Sequence, residues 1–288
     1  MKRIETVEEM MQIARQLRRE GKSIGLVPTM GYLHEGHLAL AGAARKESDM
    51  VIMSIFVNPA QFGPGEDFET YPRDLERDCA LAEEAGVDYL FHPTAGDMYP
   101  QDGGIRILPG PQADVLCGSS RPGHFDGVLK VICKLFNITS PDRAYFGEKD
   151  AQQLAIIETF VRDFNFPVEI RRVPIVREED GLAKSSRNVR LSDAQRNEAP
   201  AIRRALECGE QIFLETGNAG ETLAAVRRLL QKIPGAELEY AELLEYPSLK
   251  PADADTKEII LAAAVGFGSV RLIDNVLLPV KETAPCTK

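Results

Sequence analysis

The chain has 288 residues, 44% of them apolar and 27% charged, which suits one large globular domain or two modest ones. A net charge of −10 without any Lys/Arg block sets aside nucleic acid as the main partner, because phosphate-backbone binding shows as a basic face. No stretch approaches the roughly 18 apolar residues of a membrane span, and Met1–Glu5 carries no apolar signal core, so a cytoplasmic protein with no membrane partner is expected.

Thr6-Val7-Glu8-Glu9 reads as a capping box opening a helix directly, with Met10, Ile13, Ala14 and Leu17 as its apolar face and Gly21 as its end. Ile24 to Val27 reads as a buried parallel strand that stops at Pro28, and a helix is expected from near Gly36. Val51 to Val57 is a second buried strand, ended by Asn58-Pro59. After the Gly63-Pro64-Gly65 loop, a polar helix from about Pro72 to Ala85 leads past Gly86 into the apolar run Val87 to Phe91. Helices over Val128–Phe136 and Ala151–Phe164 alternate with strands over Arg143–Phe146 and Val168–Val173. Strand, helix, strand in this order predicts a doubly wound, Rossmann-like parallel sheet over residues 1–175, with ligands at the carboxyl ends of the strands. Beyond Pro174 the texture changes. Helices from about Asp193 and Gly220, then strands over Leu238–Leu244, Glu258–Val265 and Val270–Val276, predict a smaller α+β lid domain over 176–288, with Gly266-Phe267-Gly268 as a turn. Five cysteines, Cys79, Cys117, Cys133, Cys208 and Cys286, form no Cys-x-x-Cys pair and read as reduced, mostly structural thiols.

The segment His34-Glu35-Gly36-His37 follows the first buried strand at the start of a helix. A helix N-terminus aims unpaired N–H groups at an anion, and two imidazoles three residues apart can donate to phosphate oxygens. The same pair could hold a metal, but a catalytic zinc needs a third ligand, and only His92 and His124 remain beside Cys and carboxylates. It could also be purely structural.

Asn58 and Gln61 offer donors and acceptors for a small substrate bearing hydroxyls and a carboxylate, or else Asn58 caps a turn. Lys149 supplies a mobile point charge for phosphate, and Asp150 can bond a ribose hydroxyl or cap the following helix. His124, at a second loop-to-helix junction, lines a pocket or caps. Lys184-Ser185-Ser186-Arg187-Asn188 has the composition of a movable anion clamp or of an exposed linker.

Together these segments resemble the pantothenate synthetase family, the ATP-dependent pantoate–β-alanine ligases. The resemblance rests on Pro28-Thr29-Met30-Gly31 with His34-x-Gly-His37, Phe56-Val57-Asn58-Pro59-x-Gln61-Phe62 and Gly123-His124-Phe125-Asp126-Gly127-Val128. It continues in Phe146-Gly147-x-Lys149-Asp150-x-Gln152-Gln153 and Ser185-Ser186-Arg187-Asn188. These cover the first two-thirds of the chain. His-x-Gly-His alone would indicate only the wider nucleotidyltransferase superfamily. Position 184 departs from the pattern, with Lys where the family usually carries an apolar residue such as Met.

The resemblance implies two half-reactions: pantoate attacks the α-phosphate of ATP to give pantoyl adenylate and pyrophosphate, then β-alanine displaces AMP. Implied catalytic residues are His37, His34, Lys149 and Arg187. Implied ATP-binding positions are Pro28, Thr29, Met30, His34, His37, Gly147, Lys149, Asp150, Val176, Ser185, Ser186 and Arg187. Gln61, Gln153 and Asn58 would hold pantoate. Mg²⁺ would ride on the ATP phosphates with no certain protein ligand, and the assembly would be a homodimer. Two other readings compete: an adenylyltransferase that keeps the nucleotide in its product, and a non-catalytic ATP-sensing module.

Overall fold

The structure, a computed structural model, describes residues 1–100, 104–253 and 255–280; Cys286 lies outside the described residues. Two compact units emerge. The first comprises Met1–Ala113, Gly118–Val176 and Lys184–Ser186, and the second Asp114–Cys117, Arg177–Ala183 and the chain from Arg187 onward.

The first unit contains strands β1 (Lys2–Ile4), β2 (Ile24–Thr29), β3 (Met50–Ile55), β4 (Tyr89–Phe91), β5 (Arg143–Gly147) and β6 (Glu169–Val173). Its helices are α1 (Val7–Arg19), α2 (Glu35–Glu47), α3 (Leu75–Glu84), the single turn α4 (Ala95–Met98), α5 (Cys117–Ser120), which begins on the last residue of a second-unit segment, α6 (His124–Thr139) and α7 (Ala151–Asp163). All six strands pair in parallel in the order β1-β4-β3-β2-β5-β6. The doubly wound α/β reading therefore holds. Val27, Met53 and Leu90 pack with Leu40, Ala41 and Ala44 of α2 on one face of the sheet. The other face receives α6, which packs against β2, α1 and α7.

The chain winds from β2 to β3 to β4 in one direction, then returns to place β5 on the other side of β2. The carboxyl ends of β2 and β5 thus flank the point where the winding reverses, the place in such sheets where a crevice opens and ligands bind.

Several local expectations need correction. The N-terminus forms strand β1 before its helix, because Lys2, Arg3 and Ile4 find a parallel edge on β4. Thr6 caps α1 by accepting from Glu9 N at 3.2 Å, but the Glu9 carboxylate takes Lys2 Nζ at 2.8 Å, so the reciprocal half of the capping box is given up to the strand. Strand β2 runs through Pro28 to Thr29. Thr29 N points toward β3, where it meets Ser54 Oγ, so the ring nitrogen of Pro28 faces the β5 side, on which pairing has already ended at Leu26. No ladder bond is lost. Helix α3 starts at Leu75 rather than near Pro72, because Asp74 caps it by accepting from Arg77 N.

In the second unit the helix expected from Asp193 is two: α8 (Asp193–Glu198) and α9 (Ala201–Thr216), followed by α10 (Ala219–Leu230). Pro200 breaks the first, having no N–H to donate and a ring that crowds the preceding turn. Strands β7 (Glu237–Glu245), β8 (Glu258–Phe267) and β9 (Val270–Pro279) form an antiparallel sheet, so Gly266 and Phe267 belong to β8 and the turn is left to Gly268 and Ser269. The core gathers Ile202 and Leu206 of α9, Val226 and Leu230 of α10, and Ile259, Leu261, Ala263 and Val265 of β8.

Arg177 makes a bidentate ion pair with Asp274 of β9, at 2.7 and 3.0 Å, and Asp274 is 4% exposed. Removing Asp274 takes the carboxylate from a largely buried guanidinium that keeps Gly181 O at 3.0 Å, a loss of up to about 3 kcal/mol. Asp274→Ala is therefore expected to lower the urea midpoint for amide exchange across β8 and β9. A midpoint unchanged within error would show that the pair contributes nothing.

Candidate active site

The turn after β2 delivers the histidine pair. His34 is the N-cap of α2 and His37 stands three residues on, and the two imidazoles cap reciprocally. Gly36 N donates to His34 Nδ1 at 3.1 Å, and His34 N donates to His37 Nδ1 at 3.3 Å. The rings stack with centroids 4.0 Å apart. A nitrogen that accepts a backbone N–H carries no proton, so in each neutral ring the proton sits on Nε2. The pair therefore offers two Nε2–H donors at the positive end of a helix.

Electrostatics holds both rings in that neutral form. Burial, with the nearby Lys149 ammonium second, brings His34 down to about 4. Burial, then His34 and Lys149, pushes His37 well below its ordinary value. Lys149 thus belongs to the same cluster, carried there by a short turn, Glu148–Asp150, at the end of β5. The two arms come from the two strands that flank the reversal of winding.

Asp150 is the N-cap of α7 by position but makes no side-chain cap, and its carboxylate, about half exposed, lies 3.8 Å from Lys149 Nζ. Capping is thereby removed from its two readings. Gly147 has an ordinary backbone, and a Cβ there would meet nothing within 4 Å, so packing alone does not ask for glycine. Val176 O accepts from Lys184 N at 2.9 Å. Lys184 Nζ pairs with Glu35 Oε2 at 3.1 Å across the first turn of α2, and Ser186 Oγ donates to Tyr32 O at 3.4 Å. Ser185 is half-buried between them. Arg187 falls in the second unit.

The carboxamide segment is built differently from the expectation. Asn58 is buried, and its amide is fully engaged: Nδ2 donates to Gln61 Oε1 at 3.0 Å and to Gly127 O at 3.1 Å, while Oδ1 accepts from Ala60 N and Tyr99 OH. Asn58 is thus a support for Gln61, and its assignment as a ligand-binding group needs correcting. Gln61 is left with its Nε2, 3.2 Å from Met30 Sδ, which places it beside the β2 turn. Gly127 permits this, since any Cβ would lie 2.0 Å from Ala60 O. Thr29 Oγ1 is likewise engaged, donating to Ser54 O at 2.6 Å and accepting from Gly31 N. Gln153 stands half-buried in the first turn of α7.

His124 is neither a cap nor a free pocket wall. Its Nδ1 donates to Gln61 O at 2.7 Å and its Nε2 accepts from Arg121 at 3.1 Å, and burial, then the Arg121 charge, brings it down to about 4. Arg121 also grips Glu66, at 2.8 Å through Nε. Arg121, Tyr99 and Asp78 were missed by sequence reasoning. Only Asp78 carried a signal, an acid on the apolar stripe that Leu75 and Ala82 define. Among the described residues, no three His, Cys, Asp or Glu converge as metal ligands.

The family model for pantoate-beta-alanine ligase matches residues 2–277. The chain belongs to that family. It is 60% identical over 282 residues to the pantothenate synthetase of Lysinibacillus sphaericus (98% of this chain, 99% of the relative), and 55% identical over 283 residues to that of Bacillus cereus strain ZK / E33L (98% and 100%). Among solved ligase structures, that from Thermus thermophilus superposes with a TM-score of 0.90 at 47% identity, covering 96% of this chain and 99% of the other. The Francisella tularensis ligase, complexed with beta-gamma ATP and beta-alanine, gives 0.80 at 38% identity, covering 96% and 97%. Membership of the ligase family decides against an adenylyltransferase that keeps the nucleotide.

Proposed function

We propose that the chain condenses pantoate with β-alanine at the expense of ATP, through pantoyl adenylate, with AMP and pyrophosphate as the other products. The observation that carries the reading within the ligase family is the donor cluster itself: two neutral Nε2–H groups and one ammonium at the carboxyl ends of β2 and β5. Charge develops on the bridging and β-phosphate oxygens as the α-phosphate is attacked, and donors already in place stabilise it without reorganising. ATP arrives as its Mg²⁺ salt, and the donors suit its phosphates rather than a resident metal. Asp150 holds ribose; Pro28, Thr29 and Met30 shape the nucleotide floor; Gly147 leaves room for close approach; Val176, Ser185 and Ser186 complete the triphosphate side. Gln61 and Gln153 hold pantoate, Asn58 by fixing Gln61. Catalysis is alignment plus charge stabilisation, with no protein nucleophile. The enzyme works in the cytoplasm as a homodimer.

Pantoate-dependent AMP release that β-alanine accelerates, with pantothenate formed in equal amount, tests the reading; AMP formed without pantoate, or β-alanine consumed without pantothenate, would overturn it. Gln61→Ala is expected to raise the pantoate KM by about tenfold or more while that for ATP moves little, because its carboxamide serves the acid substrate. Equal changes in both would remove Gln61 from that role.

A further inference from the structure

The turn that presents His34 is gripped from α3. Gly31 and Tyr32 both have left-handed backbones, with φ of +86° and +48°. Successive backbone N–H groups in a tight turn can converge on one anion. Here the anion is internal. Tyr32 N and Leu33 N donate to the two oxygens of Asp78, each at 2.7 Å, and Asp78 is 1% exposed. Gly31 is required twice over, by its φ and because a Cβ would lie 2.8 Å from Ile55 Cγ2 and 3.0 Å from Asp78 Oδ2.

Tyr32 bears a side chain in a region that L-residues rarely adopt, so something must hold it there. Three contacts do. Asp78 takes its N–H, the Arg77 guanidinium lies 5.1 Å over its ring, and Ser186 Oγ donates to its carbonyl. Neighbouring residues of one helix thus clamp backbone and ring together. Two residues later comes His34, whose ring is fixed to Gly36 and whose N–H is fixed to His37. A rotation at Tyr32 would swing both imidazoles, and with them the carbonyl that Ser186 reaches.

We propose that Asp78, assisted by Arg77, is a positioning residue for this reaction: it locks the Tyr32 turn and so sets the aim of the His34–His37 pair. The proposal rests on the ligase reading and deepens it. Asp78 touches no reacting atom; it acts through the turn. In Asp78→Asn one backbone N–H must face an amide NH2 instead of an oxygen, so the clamp loses one jaw while the volume is kept.

The test combines nitrogen NMR of the unliganded protein with steady-state kinetics. In the wild type, His34 and His37 should be Nε2-protonated, whereas His92 and His124 should be Nδ1-protonated, since their Nδ1 atoms face the carbonyls of Ile55 and Gln61. In Asp78→Asn the His34 and His37 signals are expected to shift or lose their single tautomer while His124 stays. At the same time kcat falls by about tenfold or more, with the ATP KM within about threefold. A kcat within about threefold of wild type would overturn the proposal, and so would a large loss with the His34 and His37 signals unmoved. Should Asp78→Asn fail to fold, the exposed Arg77→Ala decides: the same two signals should move and kcat drop by roughly threefold, and unmoved signals refute the clamp. A wild-type protein that makes no pantothenate would remove the ligase reading, and the histidine signals alone would then judge Asp78.

Discussion

His37→Ala and Lys149→Ala are each expected to lower turnover by about two to three decades while the fold survives. On the proposed reading each removes one donor from a cluster that would face developing negative charge, and a single preorganised donor of that kind is worth about 3–4 kcal/mol at the transition state. The two losses should differ in character. Lys149 contributes a full positive charge on a flexible stem, so its removal should also weaken ATP binding. His37 contributes a neutral N–H held by the His34 backbone, so its removal should fall mainly on kcat. Circular dichroism and thermal unfolding close to wild type would show that the loss is chemical. Near-normal turnover in either folded variant would refute the cluster as the catalytic centre.

The same cluster fixes a pH dependence. A His34 brought down to about 4 keeps its Nδ1 free to accept from Gly36 at any pH well above that value. Protonation would replace an acceptor by a donor facing a backbone N–H. For this residue, kcat/KM should therefore hold from neutral pH to about 5.5 and fall only toward pH 4, instead of declining near 6.5.

Much of the site was legible in the sequence because it is written locally. The histidine pair at helical spacing and the lysine at a strand-to-helix junction are local patterns, and the α/β alternation places both at the carboxyl ends of strands, where the structure brings them together. What could not be read depends on partners distant in sequence. Asn58 reads as a ligand group until Gly127 and Tyr99, far along the chain, are seen to use its amide completely. Asp78 lies 46 residues from the Tyr32 N–H it accepts. Pro28 reads as a strand end because a proline usually is one; whether it can stay in the sheet depends on how far β5 pairs alongside. Arg187 sits next to Ser186 in sequence yet belongs to a different compact unit.

The order of the chemistry gives the other large effect. If the pantoate carboxylate attacks the α-phosphate before the amine is needed, enzyme with ATP, Mg²⁺ and pantoate alone should exchange label between pyrophosphate and ATP, through bound pantoyl adenylate. Omitting β-alanine should leave that exchange running, and omitting pantoate should abolish it. The intermediate is a mixed anhydride that water would destroy, so the donors that stabilise it must also stay dry. The segment nearest the first turn of α2 suits that task, since Lys184 reaches Glu35 and the buried Ser186 reaches Tyr32, laying a short strap beside the histidine pair. Loosening the strap with Ser186→Gly should then cut net pantothenate formation more than exchange, and AMP should appear without an equal amount of pantothenate as adenylate is lost to water. Exchange that strictly requires β-alanine would point to concerted attack or to an amine-first order. The two-step mechanism would then fall even with pantothenate as the product.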